Sequence, residues 1–149
     1  MKIIVLVVML IASLSVNTAG ICDRLNRVVA QERTPHDRIE SYLKTRWKYL
    51  MTEYPEFATY VGFSGQNDRW NDRSLAALAR HKQEEVCMLA ALKKIPRASL
   101  RGEDRINWDL MKRRSEVSIE ESKFDGDYRV LDQLSGLHMD IPDLVEAMP

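Results

Sequence analysis

Residues 54–70, YPEFATYVGFSGQNDRW, divide this chain more sharply than any other stretch. They hold Tyr54, Phe57, Tyr60, Phe63 and Trp70, five of the eleven aromatic residues. Pro55 suits the first position of a helical turn, where a missing N–H costs nothing. Phe57, Tyr60 and Val61 recur at helical spacing, and Gly62 supplies a stop. GFSGQND then offers turn formers in place of a strand pattern. Aromatic residues at helical spacing are usually buried, so this stretch is expected to be a packed elbow that pins the helices around it. The competing reading is a mobile loop that shows Phe63 and Trp70 to a partner.

The flanking segments read as helices. Asp23 to Arg33 is helix-permissive, with Leu25, Val28 and Val29 on one side. Thr34-Pro35-His36-Asp37 is a start signal, combining a hydroxyl cap, proline at the first position and an acid at the third. The helix it opens should run to about Glu53, with Ile39, Tyr42, Leu43, Leu50 and Tyr54 on one stripe. Ser74 or Asp72 caps the next, from Leu75 to about Lys94. Its expected apolar stripe is Leu75, Leu78, Ala79, Val86, Leu89 and Ala90, and Pro96 ends it. Glu103 and Asp104 then sit where acids favour the positive end of a new helix, which runs to about Ser122.

That helix is apolar on two sides. Ile106, Leu110 and Val117 lie on one, Trp108, Met111 and Ile119 on the other, interleaved with Ser115. A helix of this kind must be covered on both sides, which three long helices and a loop hardly supply. A further helix signalled at Ile141-Pro142-Asp143 has too few residues before Pro149 to bury a face. The expectation is an all-α fold of long antiparallel helices joined by an aromatic-rich loop, forming the N-terminal portion of a larger protein.

The 149 residues carry 22 basic and 22 acidic side chains. This balance gives no bulk field toward nucleic acid or membrane. The densest basic cluster, Lys93, Lys94, Arg97 and Arg101, lacks an aromatic platform and reads as a solvated link. Lys2 followed by an apolar run from Ile3 to Val16, then Thr18, Ala19 and Gly20, fits a secretory signal peptide cleaved after Gly20. The run is about fourteen residues against the roughly twenty needed to span a bilayer. Residues 1–20 are therefore assigned as signal peptide and 21–149 as an incomplete helical region, exported to the periplasm or secreted, with no stable span after cleavage. Cys22, near the mature terminus, and Cys87, on a helix, read as two unrelated thiols. Export would also permit a disulfide between them.

Three blocks carry a resemblance: YPEFATYVGFSGQNDRW (Tyr54–Trp70), LRGEDRINWDLMKRR (Leu100–Arg114) and LDQLSGLHMDIPDLVEAMP (Leu131–Pro149). In order and spacing they resemble the N-terminal part of bacterial domain-of-unknown-function family 885. Arg101-Gly102 departs from the Ser-Pro that often precedes the acidic pair in that family. The resemblance implies a mostly helical fold related to zinc peptidases whose C-terminal half carries a His-Glu-x-x-His helix. In such a helix two histidines one turn apart bind zinc and the glutamate activates water. No histidine of this chain, His36, His81 or His138, has another four residues away. No catalytic, cofactor-binding or metal residue is therefore assigned. Zinc is expected only in a full-length relative, and a peptide substrate only through the remainder of that protein.

Local candidates are few. His81 with Glu84 and Glu85 resembles a ligand cluster, but zinc sites need three or four ligands, and such a group on a charged helix is usually solvated. The strip His81, Glu85, Met88, Leu92 is expected to border the core. Arg46, Lys82 and Arg113 interrupt apolar stripes and read as snorkelling side chains with heads in water, or alternatively as cations aimed into a cleft toward a carboxylate. The segment Leu131–His138 is the preferred cleft-lining candidate through Ser135, Gly136 and His138. Its plainer reading is a connector in which Asp132 and Ser135 cap helix ends. The function expected is an exported, non-catalytic scaffold segment of a zinc-metallopeptidase-like protein. The alternatives are a free-standing periplasmic helical binding or adaptor module and a truncated remnant.

Overall fold

A computed structural model describes residues 20–124 and 136–147. The described chain is helical with no strands: α1 Ile21–Gln31, α2 Pro35–Glu53, α3 Pro55–Tyr60, α4 Leu75–Lys93, α5 Gly102–Glu121 and α6 Leu137–Ala147. A 3-10 turn, Arg97–Ser99, joins α4 to α5. Residues 1–19, all but the last residue of the segment expected to be a signal peptide, lie outside the described residues.

The α1 helix buries Ile21, Leu25 and Val29, one residue per turn on a single stripe. It packs on α2 and α4, and α4 packs in turn on α5. Thr34 caps α2 by accepting the Asp37 N–H at 3.0 Å, with Pro35 in the first turn. Arg38 Nε donates to the Glu32 carbonyl (2.8 Å), and Ser41 donates to the Glu32 carboxylate (3.1 Å), which fixes the corner between α1 and α2. Ser74 caps α4 by accepting the Ala77 N–H, while Asp72 accepts the Ser74 N–H. Both residues proposed for this cap are thus used, in different places.

One cluster forms the main core: Ile21, Leu25 and Val29 meet Ile39, Tyr42 and Tyr49 of α2, Met88 and Leu92 of α4, then Ile95, Leu100 and Trp108. Two polar groups enter it with partners. The Tyr42 hydroxyl donates to the Met88 carbonyl (3.1 Å), and the Trp108 indole donates to the Leu92 carbonyl (3.2 Å). The latter bond serves the last turn of α4, where carbonyls lack helical partners.

Several expectations are corrected. Cys22 and Cys87 are joined in a disulfide, their Cα atoms 5.8 Å apart, so they are not independent thiols. Position 22 lies on the first turn of α1, beside the buried Ile21, and α1 packs along α4. The stripe assigned to α4 holds at Leu89 but is otherwise rotated: Leu75, Ala79, Val86 and Ala90 are exposed, and Ala77, Met88, Ala91 and Leu92 are buried. An apolar count cannot choose a face when alanines and leucines surround the helix; here packing against α1 and α5 chooses it. His81 and Glu85 do border this face, continuous with Met88 and Leu92. The last helix starts at Leu137, not Ile141, and Pro142 sits inside it. Gly136, at φ +127°, begins that turn through its carbonyl, which accepts the Met139 N–H at 2.9 Å.

The aromatic elbow is also corrected. Phe57, Tyr60 and Trp70 are 40%, 68% and 59% exposed, while Pro55, Ala58 and Thr59 are the buried residues of α3. Polar closure holds the segment. The Glu56 carboxylate accepts from the Asn71 N–H (3.1 Å), the Asn71 amide (2.9 Å) and Arg73 (2.6 Å), so both ends of the loop are clasped. The α3 helix ends in a left-handed Gly62, φ +74°, with Phe63 N–H to Ala58 O (2.8 Å) and Gly62 N–H to Thr59 O (3.0 Å). This is the paired C-terminal cap in which glycine takes the strained position.

On α5, Trp108 and Ser115 are buried whereas Ile106 and Leu110 are each 58% exposed. One of the two apolar sides is covered by the described chain and the other is not. No described helix is long and apolar enough to cross a membrane.

Candidate functional site

The densest polar constellation lies where α2, α4 and α5 meet. The Arg46 side chain is only 13% exposed and its partner Glu85 15%. Its guanidinium donates to Glu85 Oε1 (2.8 Å), to the Tyr42 hydroxyl (3.3 Å) and to Ser115 Oγ (3.2 Å). Ser115, seven residues from Trp108 on the same buried face of α5, is thus explained as the third leg of this site. Burial opposes the Arg46 charge, but Glu85 and Tyr42 outweigh it and hold the guanidinium above its ordinary range. Burial also raises the Tyr42 phenol.

A second group lies next to it. Glu53, at the end of α2, receives Arg80 (2.6 Å) and His81 Nε2 (3.1 Å), and Arg80 also reaches Glu84 (3.0 Å). The Tyr49 hydroxyl donates to Glu84 at 2.5 Å. His81 Nδ1 lies 3.4 Å from the Tyr54 hydroxyl, with the two rings 5.3 Å apart. Burial drives the Tyr49 phenol far above its normal range, and the Glu84 carboxylate adds to that. Burial alone would raise Glu53; the hydrogen bonds from Arg80 and His81 prevail and bring its carboxyl below the ordinary value.

This arrangement consumes its own charges. Arg46 meets a carboxylate, as the cleft reading supposed, but the carboxylate is Glu85 of the same chain, and its head is not in water as snorkelling requires. Arg113 is exposed and Lys82 half-buried. His81, Glu84 and Glu85 do not converge, because each faces a different partner: Glu53 and Tyr54, Tyr49 and Arg80, and Arg46. Among the described residues no group of three or more His, Cys, Asp or Glu is placed to hold a metal ion. The described residues therefore do not fit a zinc centre. His36 pairs instead with Asp104 (2.8 Å), joining the starts of α2 and α5, and that hydrogen bond raises the imidazole above its usual value. In the basic link, Arg97 grips Asp109 through two bonds of 2.5 and 2.6 Å.

Cavities follow the groove beside this network. One of about 300 Å³ is lined by Arg46, Leu50, Tyr54, His81, Arg114 and Ser118, among others. A neighbour of about 280 Å³ is lined by Leu43, Arg46, Trp47, Leu50, Met111 and Arg114. Gly136 opens α6 and His138 is exposed on its first turn, neither lining these cavities; Ser135 is outside the described residues. The α6 helix packs against α3. Sequence reasoning missed Tyr49 and Glu53 as parts of the network and Arg114 as part of the groove. For the first two, a signal existed in the Arg80–Glu84 spacing, which marks an ion-pair face on α4. Arg114 follows two other cations in Lys112-Arg113-Arg114, and nothing in the sequence singles it out.

No curated protein and no solved structure gives a significant match to the chain. A family model described as "Bacterial protein of unknown function (DUF885)" matches residues 55–149, which is more than half of the chain and begins at α3. The chain is therefore a member of the DUF885 family of bacterial proteins.

Proposed function

We propose that this chain is an exported scaffold segment of a zinc-metallopeptidase-like protein, with the chemistry supplied by residues outside it. The observation that carries the reading is the self-neutralised network of Arg46–Glu85 and Arg80–Glu53–Glu84. Charges paired within one chain, buried at Arg46–Glu85 and part-exposed at Arg80, position helices, and the paired groups are not themselves poised as nucleophile, base or metal ligand. The Cys22–Cys87 disulfide supports export, because such bonds persist in oxidising compartments. On this reading the uncovered side of α5, with Ile106 and Leu110, meets the rest of the parent protein. In that parent, Ser135, Gly136 and His138 would line part of a peptide channel.

The test supplies, as a second chain, a family C-terminal segment bearing a His-Glu-x-x-His helix. The expected result is co-purification and zinc-dependent hydrolysis of a fluorogenic peptide by the mixture alone. Turnover by the isolated mature chain, or no association, overturns the scaffold role. Export is tested separately by fractionating expressing bacteria, with a mature N-terminus at Ile21 expected and an unprocessed cytoplasmic chain fatal to it.

The exposed Phe57, Tyr60 and Trp70 favour a second reading, a periplasmic helical binding or adaptor module. A cooperative thermal transition in the isolated chain with no affinity for the C-terminal segment would select it.

A further inference from the structure

The groove between α2 and α5 contains an asymmetry that the scaffold reading does not use. Its two cavities share Arg46, Leu50 and Arg114. At this junction one guanidinium is neutralised, since Arg46 is held by Glu85 at 2.8 Å. The other, on Arg114, makes no hydrogen bond or ion pair with any described residue, and it is exposed. On one side of the junction lies an apolar cavity walled by Leu43, Trp47, Leu50 and Met111. On the other side the wall turns polar, with Tyr54, His81 and Ser118.

We propose that this groove binds a medium-chain monocarboxylate, with its alkyl chain in the Leu43–Trp47–Leu50–Met111 cavity and its carboxylate on Arg114. The charge sign selects the head group: a lone guanidinium is complementary to one carboxylate, through two parallel N–H donors, and repels an amine. The lining selects the body, because the surface offered by Leu43, Trp47, Leu50 and Met111 is mostly apolar and rewards an alkyl chain over a second polar group. The volume selects the size: about 280 Å³ is near the lower end of ligand pockets, roughly 300–1,000 Å³, which suits a short chain over a long one. Ser118 and water in the polar cavity can satisfy the remaining carboxylate lone pairs.

Decanoate, kept below its micellar range, is titrated into the oxidised mature chain while tryptophan emission is followed. Decan-1-ol and decyltrimethylammonium are the charge controls. Saturable one-site binding of decanoate is expected, about tenfold or more weaker in Arg114→Gln, for loss of a charge-assisted pair. In Trp47→Phe the emission change should fall away while calorimetry still detects binding. Both positions are exposed, and unchanged unfolding midpoints verify that the variants fold. Equal affinity in Arg114→Gln, equal binding of decyltrimethylammonium, or no saturable signal overturns the proposal. So does a concentration-dependent dimer that decanoate fails to dissociate, which would assign the groove to a second copy.

Discussion

Removing the Cys22–Cys87 bond gives the most quantitative test of how this fold is held. The bond closes a loop with a sequence separation of 65, encompassing α1, α2, α3 and the clasped loop. Chain-entropy theory puts the constraint on the unfolded state at about 4 kcal/mol for a loop of that length. In the native state α1 is independently anchored by Ile21, Leu25 and Val29, so loss of the bond should leave the packing in place. Cys22→Ser/Cys87→Ser is therefore expected to keep its near-UV circular dichroism and to lose about 4 kcal/mol. With a urea slope of about 2 kcal/mol/M, the midpoint should fall by about 2 M. The assay is equilibrium urea unfolding of the oxidised protein and the double variant, with the slope fitted in each. A midpoint shift under about 0.5 M would refute the entropic argument. A lost near-UV signal would refute the claim that apolar burial alone seats α1.

Three other perturbations address the groove and the elbow. Arg46→Met leaves the Glu85 carboxylate buried without its cation and should cost about 3 kcal/mol in urea unfolding, most of it recovered in Arg46→Met/Glu85→Gln. Gly62→Ala meets no steric neighbour but must hold φ +74°, so a loss of about 1 kcal/mol is expected, with no change in the slope. The Glu53 carboxyl is held below its ordinary value, so its contribution is complete above the unfolded carboxyl range and disappears as pH falls through the lower, folded value. Thermal midpoints measured from pH 6 downward should fall less steeply in Glu53→Gln than in the parent chain.

Local chemistry made the helices readable. Thr34-Pro35, Pro55, Gly62, Ser74 and Pro96 each act within a few residues of themselves, and each lies at or within two residues of a helix end. The choice of buried face was less legible. In α4, apolar residues at 75, 79 and 86 and at 77, 88 and 92 make competing stripes, and only packing against α1 and α5 decides between them. The elbow misled for a related reason. Aromatic spacing announced burial, yet the information that closes the loop is in Glu56 and Asn71, fifteen residues apart and individually unremarked. The same limit applied to the groove: Arg46 stood out because it broke an apolar stripe, while its partner Glu85 is 39 positions away. Pairings across such distances are properties of the packed helices and have no periodicity to betray them.

The Trp108 indole, bonded to the Leu92 carbonyl, has a consequence for motion. Helix ends ordinarily fray first, and α4 ends one residue beyond Leu92, at Lys93, with Lys94 as its cap. Here the final turn of α4 is tied to the second turn of α5 by a side chain buried in the main core. Neither end can open alone without exposing Trp108 and stripping the indole from a carbonyl it shares with a backbone N–H. Deuterium uptake at the indole and at the Ile95 amide, which shares the Leu92 carbonyl at 3.0 Å, should therefore proceed at one rate, as a single opening event. The turn between α4 and α5 is a rivet, not a hinge.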